Sequence, residues 1–305
     1  MQHENATQIA RRRFALIMAN GPASKAIDII YVSNGQSLDI KKYDTDGNYL
    51  GKFTNTQFSS LAGIAINSTG ILYATSPNSN TVSKFDSTGA YLGQITSNLN
   101  FPSSLAFDST GNYYVSNPNS NSISKFDSSD NFLFQITTNL NIPNSVAVDA
   151  FGNVYANNRG DTSMGISKFS SSGVYLGQIG NSSNFTWPTG LAFDAQGNLF
   201  AANDNMGPIA KFNSSGVFLG NFVGNGLRYN IAFDSVGNLY TTTNLSGVKK
   251  YDSVGNLLPY VNEFASPNGI AIRSITVPEP STYALAAIAT CVMAAIARRR
   301  KARGV

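Results

Sequence analysis

Apolar and polar positions alternate in short runs through most of this chain, and the runs recur about every 40 residues, a period typical of propellers and solenoids. The pattern is plainest in LAFDSTGNYYVSN from Leu105, VAVDAFGNVYANN from Val146, LAFDAQGNLFAAN from Leu191 and IAFDSVGNLYTTT from Ile231. Each reads as a short apolar strand, a D-x-x-G-N connection and a second alternating strand. In the connection the Asp can accept hydrogen bonds from amides of its own turn, and the Gly supplies the positive φ that lets the chain reverse. A Lys followed by an aromatic then ends a third strand, at Lys42-Tyr43, Lys84-Phe85, Lys125-Phe126, Lys168-Phe169, Lys211-Phe212 and Lys250-Tyr251. An S-x-G-type turn and an outer strand usually follow, as in FDSTGAYLGQI. Six markers predict six four-stranded antiparallel meanders.

A lone meander cannot bury both of its faces, so the units must stack, and a ring does this while leaving only short edges. The two ends of the pattern complement each other. The first unit opens at AIDIIYVSN, around Ile27, without a preceding inner strand, and the last is followed by a spare one, PNGIAI, at residues 267–272. Residues 269–272 are therefore expected to supply the missing inner strand of the first blade and close the circle. The predicted fold is an all-β, six-bladed β-propeller over residues 26–273.

The repeat, P-x-G-[IL]-A-[FV]-D-x-x-G-N-[LV]-Y at its start and K-F-D-x-x-G at its end, resembles the NHL-repeat propellers. That resemblance implies the fold and leaves the activity open, since one fold hosts many functions.

After the repeats comes VPEPSTYALAAIATCVMAAIARRRKARGV. The apolar run at 283–297 is 15 residues long, about 22 Å as a helix against a hydrocarbon core of about 30 Å, so it is a short membrane span. Arg298, Arg299, Arg300 and Lys301 behind it would stay on the cytoplasmic side and place the repeats outside the cytoplasm. Pro278 and Pro280 forbid helix just ahead and leave that stretch extended. Pro278-Glu279-Pro280, the apolar helix and the basic end together resemble the PEP-CTERM sorting signal of Gram-negative bacteria. The resemblance assigns 274–305 to a sorting signal and implies an exosortase-type transpeptidase as partner. It further implies transient anchoring in the inner membrane and delivery to the cell envelope, cell surface or extracellular matrix. At the other end, residues 1–25 read as a short or degenerate export signal: Arg11, Arg12 and Arg13 precede only six apolar residues, at 14–19, before Ser24-Lys25-Ala26.

Charge changes this picture little. The net +4 lies in the two tails: residues 25–277 carry 13 Lys and Arg against 15 Asp and Glu. The body thus lacks the basic footprint of a nucleic-acid binder. Cys291, the single cysteine, sits inside the apolar run, so no intrachain disulfide forms.

Candidate chemistry is sparse. The one histidine is His3, outside the repeats, which argues against a histidine-dependent lyase or a triad hydrolase. A Ca²⁺-dependent gluconolactonase-like hydrolase is the alternative that six-bladed propellers suggest. It needs converging carboxylates, yet Glu263 is the only glutamate of the body, and Asp108, Asp149, Asp194 and Asp234 share one turn position and read as structural. No catalytic residue, cofactor or metal site is assigned; Asp161 and Asp204 could join a Ca²⁺ site, but no D-x-D-x-D spacing supports it.

The informative residues break the repeat. Pro102, Pro143, Pro188 and Pro267 each stand three residues before an inner strand, where the sixth unit has Arg228 followed by Tyr229. Trp187, the sole tryptophan, precedes Pro188. The loop NNRGDTSMG adds Arg159 and Asp161, and the next unit places Asp204 in the corresponding loop. Blade-to-blade loops and second-to-third-strand loops share one face of a propeller. Arg159, Asp161, Trp187, Asp204, Arg228 and Tyr229 are therefore expected to gather there as a ligand-binding patch, bordered by Asn34, Asn78, Asn119, Asn157, Asn203 and Asn244. Trp and Tyr offer flat faces to sugars or peptides, and Asn and Arg offer donors. The sequence thus points to an exported, surface-sorted, non-catalytic propeller that binds polysaccharide or protein.

Overall fold

The computed structural model describes residues 24–54, 58–160, 165–185, 187–204, 207–223, 229–243, 247–260 and 266–278. They form six four-stranded sheets. Blade 1 contains Ser24–Asn34, Asp39–Tyr43 and Tyr49–Thr54, and its inner strand is the late segment Pro267–Pro278, which hydrogen-bonds to Ser24–Asn34. Blade 2 runs from Ile64–Ile66 to Tyr91–Ile95, blade 3 from Ser104–Phe107 to Phe132–Ile136 and blade 4 from Val146–Val148 to Tyr175–Ile179. Blade 5 runs from Pro188–Phe193 to Phe218–Val223 and blade 6 from Ile231–Phe233 to Leu257–Leu258. The fold is the six-bladed propeller that the repeat predicts, closed by the expected strand. Asp28–Arg273 makes up one compact unit, and the residues on either side of it group separately.

The core lies in the seams between blades. One cluster packs Tyr73, Val82 and Ile95 of blade 2 on Leu105, Tyr113 and Phe126 of blade 3. The seam that closes the ring packs Tyr240 and Val248 of blade 6 on Ile30, Val32, Tyr43 and Ile270 of blade 1. Burial of such side chains stabilises each seam by about 1.5–3 kcal/mol per residue.

Each marker in the sequence has a physical reason. The Lys of the Lys-aromatic pair lies opposite an aromatic on the second strand, and Nζ sits over that ring for Lys125 and Tyr114 at 5.0 Å, Lys211 and Phe200 at 4.9 Å, and Lys250 and Tyr240 at 5.3 Å. A β-bulge falls between Lys and aromatic in five blades. In four of these the outer strand places a left-handed Gly opposite the Lys: Gly51, Gly93, Gly177 and Gly220, at φ 117–134°. The acids are turn formers. Asp108 Oδ1 accepts from the amides of Thr110 and Asn112 at 2.9 and 3.0 Å, and Asp149, Asp194 and Asp234 repeat the pattern. These turns, with those after the third strands, occupy the lower face.

The upper face is stitched by a belt of second-strand side chains. Ser33 Oγ donates to the Ala62 carbonyl at 2.6 Å, and Thr75 Oγ1 to those of Gly63 and Ser103 at 3.1 and 3.2 Å. Ser116 Oγ donates to Ser104 and Asn144, Asn157 Nδ2 to Pro188 and Thr189, and Thr242 Oγ1 to Asn268. Blade 5 alone has an apolar residue there, Ala202. Below the belt, the inner strands enclose an axial channel of 360 Å³, lined by residues such as Ile64, Leu105, Val146, Leu191, Ile231 and Ile270.

Candidate functional site

The channel opens on the upper face, where linkers entering the inner strands meet loops leaving the second strands. The cavity at this mouth measures 210 Å³. Its floor comes from the residue after the Pro of each repeat, or its equivalent: Ala62, Ser103, Asn144, Thr189, Tyr229 and Asn268. Arg159 reaches in from the blade 4 loop, and its backbone is tied to the preceding linker by Arg159 N–H to the Ile142 carbonyl at 3.3 Å and Gly160 N–H to Asn141 at 3.1 Å.

Four of the six patch residues come together here. The Arg159 guanidinium carbon lies 5.4 Å from the Trp187 ring centre, and Nη2 donates to Asp204 Oδ2 at 3.3 Å. The Asp204 amide in turn donates to the Trp187 carbonyl at 2.8 Å. Trp187 is 45% exposed, so the indole serves both as a seat for the guanidinium and as an open surface. Tyr229 lines the cavity beside them. Burial, above all, raises its hydroxyl above the usual tyrosine range; the Asp204 carboxylate adds to this and the Arg159 charge opposes it. Asp161 and Arg228 lie outside the described residues. So do Glu279, Pro280, the basic cluster Arg298, Arg299, Arg300 and Lys301, and the expected membrane helix. Pro278 ends the closing strand.

The bordering asparagines require correction. Asn34, Asn157 and Asn203 are buried and spent on the fold. Asn34 Oδ1 accepts from the amides of Gln36 and Ser37, Asn157 belongs to the belt, and Asn203 Nδ2 donates to the Pro208 carbonyl at 2.8 Å. Asn78 and Asn119 are exposed, and Asn244 lies outside the described residues. The Ca²⁺ alternative meets Asp204 already paired with Arg159.

Sequence reasoning missed two residues next to this site. Phe101 and Ile142 occupy the same pre-proline position as Trp187, are 38% and 44% exposed, and hold φ of 59° and 50°. Such backbone is strained for bulky residues. Asn80 Oδ1 secures it by accepting the Phe101 amide at 2.6 Å, and Asn121 Oδ1 by accepting that of Ile142 at 2.7 Å. The repeated Asn-apolar-Pro in NFP and NIP was the available signal.

Residues 276–301 match the family described as the PEP-CTERM protein-sorting motif. No curated protein sequence matches the chain. Among solved structures, a chain of a nidogen/laminin complex superposes with a TM-score of 0.68 at 18% identity, over 81% of this chain and 98% of that one. A protein of unknown function from Bacteroides caccae gives 0.61 at 12% identity, over 81% and 98%. A catalytically inactive virginiamycin B lyase from Staphylococcus aureus, solved with quinupristin, gives 0.60 at 12% identity, over 83% and 96%. At these identities the likeness is one of fold. The chain is a six-bladed β-propeller that carries a PEP-CTERM protein-sorting motif at residues 276–301.

Proposed function

We propose that this propeller is a non-catalytic binding module of the bacterial cell envelope or extracellular polysaccharide matrix, and that it holds a saccharide chain at its upper mouth. The observation that carries this reading is the cluster of Arg159, Trp187, Asp204 and Tyr229 at the rim of a polar cavity. An exposed indole gives a sugar ring a flat apolar face, and Asn, Ser and Thr around it supply donors and acceptors for hydroxyl groups. General acid–base chemistry would need a titratable group free to act. The one carboxylate of the cluster is instead paired with a guanidinium, and the one phenol is held protonated by burial. The sorting motif supports a surface location: the tail would anchor the protein in the inner membrane until an exosortase processes it.

The test is a glycan array probed with the exported protein and with Trp187→Ala. Saccharide binding that weakens about tenfold or more in the variant supports the reading, since a few aromatic anchors carry most of the energy of an interface. Lactone hydrolysis that depends on added Ca²⁺ would replace it with the hydrolase.

A further inference from the structure

We propose that the sugar held at the mouth is acidic, a uronic acid unit whose carboxylate is received by Arg159; this rests on the saccharide reading above. Among the described residues lining the cavity there is a single formal charge, Arg159, and no carboxylate. The guanidinium is fixed on two sides, by the Trp187 ring and by Asp204 at Nη2, and its side chain is still 36% exposed. Its Nε is buried and has no hydrogen-bond partner. An unpaired buried donor costs about 1–3 kcal/mol. The part-exposed remainder of the group stays open to a ligand, and a carboxylate matches a guanidinium edge with two parallel bonds.

The neutral side chains of the mouth point the same way. Asn144 Oδ1 accepts from Ser103 Oγ at 2.9 Å, and Asn230 Oδ1 accepts from the Ile231 amide at 2.9 Å. Both amides therefore have their oxygens occupied and their nitrogens left to donate into the cavity they line. Asn268 Nδ2 is instead spent on the Leu61 carbonyl at 2.8 Å, so these two amides are the donors added to one fixed cation, and with no carboxylate in the lining the mouth favours an anion over a neutral sugar. The cavity of 210 Å³ equals the volume of about seven waters, which suits one sugar ring. Since Asp204 already offsets the charge of Arg159, the binding is modest in strength and weakens with salt.

Calorimetry with a panel of oligo-uronates, of galacturonate, mannuronate and guluronate type, against their carboxyl-reduced neutral counterparts tests this. The acidic form of at least one pair binds tenfold or more tighter, and Arg159→Gln removes that preference. Arg159→Lys fails to restore it, because an ammonium cannot form the paired contact. Thermal midpoints check that the variants fold. Should Arg159→Gln unfold, Asn144→Ala and a salt titration of the native protein take its place, each lowering acidic binding alone. Equal binding of acidic and neutral forms, or a preference for sulfated sugars, overturns the inference and leaves the saccharide reading intact. Failure of every saccharide to bind overturns both.

Discussion

Lys84 of blade 2 donates its ammonium to the carboxylate of Asp130 in blade 3, making an ion pair across the seam between them. The same carboxylate accepts the hydroxyls of Tyr113 at 3.0 Å and Tyr73 at 3.3 Å. Asp130 sits at φ 68°, where the equivalent turns carry Gly47, Gly89, Gly173, Gly216 and Gly255. One blade has given up the residue its turn favours in exchange for an inter-blade clasp. Elsewhere the repeat Lys reaches a neighbouring carbonyl, as Lys125 does at Ser171 and Lys250 at Thr45, or a carboxylate of its own blade, as Lys211 does at Asp194.

Asp130→Gly relieves about 1 kcal/mol of backbone strain but leaves a mostly buried ammonium and two phenols without their acceptor, a loss of about 1–3 kcal/mol. The net effect is a lower thermal midpoint, by a few degrees. A double-mutant cycle with Lys84→Met checks it: the second change costs less in the Asp130→Gly background, and additive costs would show that the pair is uncoupled.

Acid sensitivity follows from the turns. In Asp86 the side-chain hydrogen bond from Thr88, then the amide of Ala90, hold the carboxyl below the usual carboxylate range. A folded pKa depressed below the unfolded one contributes stability that is present above the unfolded value, about 3.9, and is lost as pH falls through the folded value. Asn213 holds the equivalent turn of blade 5 with an amide, its Oδ1 accepting from the amides of Ser215 and Val217 at 3.0 and 2.9 Å. Asp86→Asn therefore keeps the fold at pH 7 and narrows the drop in thermal midpoint between pH 5 and pH 2. An unchanged drop on acid titration counts against the linkage.

Closure of the ring depends on Gly269. A Cβ there would stand 2.6 Å from the Ala62 carbonyl oxygen, 2.9 Å from the Ile64 nitrogen and 2.9 Å from Ser33 Oγ. Gly269→Val forces the inner strand of blade 1 off its neighbour and costs about 1–3 kcal/mol. Hydrogen exchange should show the loss first in residues 28–34 and 267–272; a variant protected like the parent would refute the tightness of that seam.

The sorting motif at 276–301 predicts a shortened carboxyl end. Mass spectrometry of the exported protein should lack residues 298–305, and an intact Val305 in the mature form would speak for a lasting anchor.

Much of the fold was legible because each signal is a stereochemical necessity repeated in blade after blade: D-x-x-G-N for reversal, Lys-aromatic for the bulge, a spare strand at one end for closure. The gathering of Arg159, Trp187, Asp204 and Tyr229 was legible from their departure from that repeat. Asn34, Asn157 and Asn203 misled because loop polarity in sequence does not distinguish an amide that faces solvent from one that replaces a backbone partner. Asp130 hid among many turn acids, and only its place at the glycine position, three residues after Asp127, marked it as different. The strained backbone of Phe101 and Ile142 left no trace beyond a recurring Asn before an apolar residue and Pro.

The lower face holds the Asx-bonded turns that set strand register, while the upper face holds the linkers and loops that meet the cavity. Substitutions that alter what the mouth accepts thus fall on segments that few strand pairings depend on. Descendants of such a ring can exchange one ligand for another by changing single codons at exposed or cavity-lining loop positions such as Trp187 and Tyr229, and a designer can do the same on this scaffold without rebuilding a blade.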